Sequence, residues 1–330
     1  MPAQDGLVDP RPIARSLRSN RRQALRGGLA LFGGLCLCCL PTLGRSAEGF
    51  ALDEVGPGIF IRRGPDAEAS PDNDDAIANI GFIVGETSVL VTESGGSLAD
   101  GQWLRGQIRA CTDKPISHVV LTHVHPDHCF GAEAFAADKP VFIGHHALRA
   151  ALDARGDYYR TRLVEILGPE KAGRVVYPTL EVAGRAEIDL GGRRLTFHAH
   201  GVAHTNCDLS MRDSASGILF PADLLFVTRI PSLDGSLVGW LKEAEVLKAM
   251  GATKAVPGHG PTLVEFAPAL ADLTRYLATL RDETRKALAG DIPIEKAVAT
   301  IGRSEADKWA LFDLYNGRNV TQAFKELEWE

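Results

Sequence analysis

The chain has 330 residues, 36 basic against 42 acidic side chains and a balanced 45% hydrophobic content. Residues 1–47 hold seven Arg and two Asp, so the remainder carries 29 basic and 40 acidic side chains, a net charge near −11. That balance offers no broad attraction for nucleic acid or anionic lipid.

In chain order, the first feature is an arginine-rich start containing Asn20-Arg21-Arg22-Gln23-Ala24-Leu25-Arg26, followed by an apolar, glycine-rich run over 27–43. This pattern reads as a twin-arginine-type signal peptide over residues 1–47, with export to the periplasm and cleavage near Ala47. The apolar run is shorter than the roughly 20 residues of a spanning helix, and Pro41 interrupts it, so no stable membrane insertion is expected after cleavage. Cys36, Cys38 and Cys39 would leave with the signal. Cys111, Cys129 and Cys207 remain, an odd number, so at least one thiol is unpaired or intermolecular; Cys129 and Cys207 read as buried free thiols, with a disulfide between them as the alternative.

Strand-like runs follow at 58–62, 80–84 and 89–92, and the Asp- and Pro-rich stretch 64–76 between the first two reads as a mobile loop. Helical patterns cover 98–110 and 147–167. Further strands fall at 194–199, 208–212 and 218–220. A helix over 240–250, capped by Ser236 or Gly239, leads into the strand before His259. Beyond Phe266 the pattern is helical, over 269–289, 294–301, 305–315 and 320–328. Asn319 and Gln322 sit at capping-box spacing for the last of these. This C-terminal segment would cover the flank, line the cleft or form a dimer contact, and the oligomeric state stays open.

The chemistry lies in Thr122-His123-Val124-His125-Pro126-Asp127-His128, directly after the apolar run Val119-Val120-Leu121. Neutral imidazoles and carboxylates are the ligands of zinc and similar borderline metals. On an extended backbone His123 and His125 point to one side, and Pro126 turns the chain so that Asp127 and His128 face a second metal. Downstream, Ala203-His204-Thr205, Phe220-Pro221-Ala222-Asp223 and Val256-Pro257-Gly258-His259-Gly260 each place a further candidate at the end of an apolar run. His118, His145, His146, His198 and His200 stay unassigned, with His198 and His200 read as core residues or supports of the ligands.

Together these motifs, in this order over roughly residues 50–265, resemble the metallo-β-lactamase superfamily. The resemblance implies an α/β fold, a four-layer αββα sandwich over residues 48–265 with a C-terminal helical extension over 266–330. It implies two Zn2+ per chain: one on His123, His125 and His204, a second on Asp127, His128 and His259, and Asp223 bridging them. Hydrolysis would use a metal-bridging hydroxide, with Asp127 as the catalytic residue that orients it and takes its proton. Ala222 stands where glycine usually precedes the bridging aspartate, and Thr205-Asn206-Cys207 replaces the usual Thr-Pro-Gly turn.

The acidic loop 64–76, Gly144-His145-His146 and the stretch from Pro231 to Trp240 look like the exported zinc metallo-hydrolases of quinoprotein relay systems. That narrower resemblance implies a role beside a periplasmic quinoprotein dehydrogenase or in sulfur metabolism. Three alternatives share the ligands: a glyoxalase II-like thioesterase, for which glutathione-binding basic residues are not evident in the C-terminal part; a persulfide-dioxygenase-like enzyme with one Fe2+ on His123, His204 and Asp223; and a non-catalytic cofactor-handling partner of a quinoprotein.

Overall fold

Short strands whose central members are buried along nearly their whole length build two sheets, and each face finds a different partner. The computed structural model describes residues 51–330; the expected export segment lies outside them. The first sheet has seven strands in sequence order: β1 (Leu52–Gly56), β2 (Ile59–Arg62), β3 (Ile80–Val84), β4 (Val89–Glu93), β5 (Ile116–Leu121), β6 (Val141–His145) and β7 (Leu180–Val182). β1 to β4 pair antiparallel, whereas β4 to β7 pair parallel. Parallel neighbours need crossovers. Helix α1 (Leu98–Cys111) joins β4 to β5. The short helix α2 (Pro126–Cys129) and a 3-10 segment (Phe130–Asp138) join β5 to β6, and α3 (Leu148–Leu167) and α4 (Pro169–Ala172) join β6 to β7.

The second sheet runs β13-β12-β11-β10-β9-β8. Its strands are β8 (Arg185–Asp189), β9 (Arg194–Ala199), β10 (Leu209–Asp213), β11 (Leu219–Phe226), β12 (Lys254–His259) and β13 (Val264–Glu265), with α5 (Leu237–Ala249) crossing over between the parallel β11 and β12. Ser236 caps α5 by accepting from the Gly239 N–H.

Three apolar clusters define four layers. Ile59, Ile61, Leu90 and Val120 of the first sheet pack on Leu195, Phe197, Leu209 and Met211 of the second. The opposite face of the first sheet, including Phe82, Val91, Val119 and Leu121, packs on Leu104 and Ile108 of α1 and Leu148 and Leu152 of α3. Leu224, Phe226 and Trp240 share a third cluster with α6 (Phe266–Ala289) and α8 (Phe312–Leu327), so the C-terminal helices complete the layer over the second sheet. Along α6 the buried residues Phe266, Leu270, Leu273, Leu277 and Leu280 recur at helical spacing. Among the described residues no helix is long and apolar enough to cross a membrane.

The C-terminal segment departs from expectation in detail. After α7 (Ile294–Thr300), residues 303–308 form a 3-10 turn, and α8 runs unbroken from Phe312 through position 319. Asn319 is therefore not a cap. Its buried amide accepts from the Leu233 N–H and donates to the Pro231 carbonyl and the Tyr276 hydroxyl, and these tertiary bonds outweigh its local preference for a helix start. The acidic loop is also pinned. Thr228 donates to Asp66, Arg229 to the Ala67 carbonyl, and Tyr315 to Glu68 at 2.5 Å.

Candidate metal centre

β5 ends at Leu121, and the next seven residues carry four of the candidate ligands to the edge of the sandwich. His125 has an extended backbone (φ −69°, ψ 142°), and Pro126 then starts the short helix that turns Asp127 and His128 back toward it. From the second sheet come His204, in the loop between β9 and β10, Asp223 within β11, and His259 at the end of β12. Asp223 lies inside a longer strand than the sequence suggests. The β11–β12 register shifts on both sides of Ala222, and Ala222 itself has φ +48°. That left-handed backbone explains why glycine is the natural residue there and marks a strained point beside the carboxylate.

All seven candidates converge. His123, His125, His204 and Asp223 form one group with ligand-type atoms within 4.8 Å of each other, and Asp127, His128 and His259 form a second. Asp223 touches both: its Oδ2 lies 3.4 Å from His204 Nε2 and 3.5 Å from His259 Nε2, and its Oδ1 lies 3.1 Å from His128 Nε2. Asp127 Oδ2 is 3.2 Å from His259 Nε2.

Each histidine is oriented from behind. His204 Nδ1 faces the Ser232 carbonyl at 2.7 Å, His259 Nδ1 the Ile77 carbonyl at 3.1 Å, and His125 Nε2 the Asp234 carboxylate at 3.1 Å. These acceptors fix the ring proton on the outward nitrogen and leave the inward lone pair free. His204 Nε2 and His125 Nδ1 then lie 2.9 Å apart with no proton between them, an arrangement that a shared cation satisfies. Deeper in, His123 Nδ1 meets Thr122 Oγ1 at 3.1 Å, Thr122 donates to Glu93, and Glu93 also faces His128 Nδ1 at 3.4 Å. His128 Nε2 and Asp223 Oδ1 are buried without a hydrogen bond, as metal-ligating atoms would be.

Electrostatics fit the same reading. Burial alone would raise the Asp223 and Asp127 pKa values, but the neighbouring His128 and His259 hold both carboxylates well below their usual range. Burial lowers the His204 pKa to about 3 and keeps that ring neutral. At His128 and His259 burial works the same way, but the charges of Asp223 and Asp127 outweigh it and raise both imidazole pKa values, so a metal entering the second group would displace protons.

A cleft of about 590 Å³ opens onto the cluster, lined by Asp127, Asp223 and His259 at its floor, Leu163 and Ile166 of α3 on one side, and Tyr315, Arg318 and Lys325 of α8 on another. The C-terminal segment therefore lines the cleft as well as covering the flank. Sequence reading missed Glu93, Asp75, Arg155, Arg229 and Asp234. Asp234 lay within the singled-out Pro231–Trp240 stretch, but its bond to His125 and its ion pair with Arg155 join residues distant along the chain. Burial, then the charges of Asp127 and Asp100, push the pKa of Asp75, another residue lining the cleft, well above its ordinary value.

The unassigned His200 stands apart from the metal cluster. It is 2.8 Å from Glu243 and 2.7 Å from the Ser210 hydroxyl, bonds that brace the start of the loop carrying His204. Cys129 and Cys207 are buried free thiols, and Cys111 is an exposed one.

Comparison with known proteins agrees with the site. A linear primary-alkylsulfatase from Pseudomonas sp. (strain ATCC 19151) is 25% identical over 259 residues, covering 65% of this chain and 49% of that protein, so the chain spans about half the alkylsulfatase's length. The metallo-beta-lactamase from Pontibacter korlensis superposes with a TM-score of 0.57 at 16% identity, covering 69% of this chain and 99% of that one. The DIM-1 metallo-beta-lactamase gives 0.55 at 14%, with 70% and 98% covered. The family model of the metallo-beta-lactamase superfamily matches residues 73–259, more than half of the sequence and all seven converging side chains. With that match, the two-sheet sandwich and the His/Asp cluster at its edge, the chain belongs to the metallo-beta-lactamase superfamily.

Proposed function

We propose that the protein is a dinuclear zinc hydrolase of the periplasm, acting on a small molecule in support of quinoprotein dehydrogenase or sulfur metabolism. The observation that carries the dinuclear reading is Asp223, whose two oxygens reach histidines of both groups. His123, His125 and His204 would hold one ion and Asp127, His128 and His259 the other. When bound, two such ions lower the pKa of water toward neutrality and polarise the bond to be cleaved.

The protein's own part is positional. Asp127 lines the cleft, and its ionised carboxylate is placed to accept a proton at Oδ2. The outward acceptors keep each imidazole aimed at the centre, and Leu163, Ile166 and Leu233 shed water from the cleft walls. The alkylsulfatase relative adds sulfate esters to the thioesters, lactones, amides and phosphodiesters worth screening. A glyoxalase II-like thioesterase gains some support, because α8 brings Arg318 and Lys325 to the cleft although no such basic motif is evident in the sequence.

A single-iron oxygenase needs two histidines, one carboxylate and open positions, and leaves Asp127, His128 and His259 without a task. Metal analysis of the isolated protein combined with an ester and thioester screen in an oxygen electrode separates the readings. About two zinc ions per chain and turnover without oxygen uptake are expected; one iron with substrate-dependent oxygen uptake would overturn the proposal, and metal retained without any turnover would favour a cofactor-handling role. Export is tested separately, since Arg21→Lys with Arg22→Lys should trap full-length precursor in the cytoplasm.

A further inference from the structure

Four cationic side chains line the cleft, and they are not equivalent. Arg229 is buried and committed to the Ala67 carbonyl, Glu68 and the Tyr315 hydroxyl. Arg162 is paired with Glu165. Arg318 and Lys325 have no carboxylate partner among the described residues; Arg318 only stacks over the Tyr315 ring, at 5.3 Å. Both are exposed and lie seven residues apart on α8, two helical turns on the same face, or roughly 10 Å along the axis. An acidic chain thus turns two uncommitted cations toward the cavity that holds its metal cluster.

Leu163 and Ile166 of α3 and Leu233 give that cavity an apolar wall. Arg318 and Lys325 both lie beyond residues 73–259, the segment that the family model spans.

Building on the hydrolase reading, we propose that the cleft selects substrates bearing an anionic group at the end of an apolar body, with Arg318 and Lys325 holding that group while the scissile bond lies at the metal cluster. The apolar body would lie along Leu163, Ile166 and Leu233. Carboxylate, sulfonate and phosphate share the required chemistry. A guanidinium can grip any of them through two parallel N–H donors, and the ammonium adds a point charge.

The test measures binding rather than turnover, so a chain that hydrolysed nothing would still test the anchor. Octanesulfonate, a weak metal ligand, is titrated calorimetrically into the metal-loaded protein beside octanol, with octanoate and octyl phosphate in parallel to rank the anions. Octanesulfonate should bind more tightly than octanol, and its affinity should fall as salt is raised. In Arg318→Gln with Lys325→Gln it should bind about tenfold more weakly, the scale of two partly exposed ion pairs, while octanol binding and metal content stay unchanged. Lys325→Glu alone should weaken octanesulfonate in the same direction. Unchanged sulfonate affinity in these variants, or equal wild-type affinity for octanesulfonate and octanol, would overturn the proposal.

Discussion

The two halves of the sandwich supply the centre in opposite ways. The first sheet gives His123, His125, Asp127 and His128 from one turn after β5, where local geometry nearly suffices to gather them. The second gives His204, Asp223 and His259 from three separate elements, and each needs its own brace: the Ser232 carbonyl, a strained strand at Ala222, and the Ile77 carbonyl. A compact motif can form a cluster by sequence spacing alone, whereas dispersed ligands depend on the packing that holds their strands in register. Perturbing the second half should therefore damage the centre in more ways than perturbing the first.

The largest effect should come from Asp223→Ala, which removes the carboxylate that reaches histidines of both groups. Metal content should fall from about two ions per chain to below one, and turnover should disappear, as read by atomic absorption and the ester screen. His204→Ala should chiefly weaken the first ion. His200→Ala, which only loosens the brace behind that loop, should cost at most about 10–100-fold in metal affinity. Equal losses at positions 200 and 204 would place the ligand on the wrong residue.

Next is Gly258→Ala, which alters no ligand. A β-carbon there would lie 1.9 Å from Asp223 Oδ1, so the carboxylate or the β12 backbone must move. Metal binding should weaken, and stability should drop by about 1–3 kcal/mol, the usual range for overpacking. A variant with unaltered metal content would mean that the second half is more compliant than the comparison implies.

Smaller still is a pH effect in the same half. Asp208 accepts from the Thr205 N–H and hydroxyl, yet burial pushes its pKa from 3.8 to about 6. Between those values the folded protein keeps a proton that the unfolded chain has released. Its contribution to stability is thus full below pH 4 and is lost as pH rises toward 6, by up to about 1.4 kcal/mol per pH unit. Asp208→Asn should remove this slope from urea-unfolding midpoints measured across pH 4–6. The smallest predicted change is Ala222→Gly, which relieves the left-handed backbone by about 1 kcal/mol before the added chain entropy of glycine offsets part of it. A lowered Tm of several degrees would show that Ala222 is not strained.

By itself, the sequence determined four of the converging side chains, because the His-x-His-x-Asp-His spacing is a local property of the chain, while the order of its motifs, through their resemblance to the metallo-β-lactamase superfamily, implied the layered fold and the roles of His204, Asp223 and His259. It also located most helices and strands, because short-range periodicity is local as well. Only the tertiary structure decided that Asp223 sits in the middle of a long bulged strand, that Asn319 is a buried hub rather than a cap, and that residues 66–68 are tied to Arg229, Thr228 and Tyr315. It alone paired His125 with Asp234 across 109 residues and turned Arg318 and Lys325 of α8 toward the cleft. Those features arise where buried polar groups must find partners from other elements, and that demand leaves no periodic trace in the sequence.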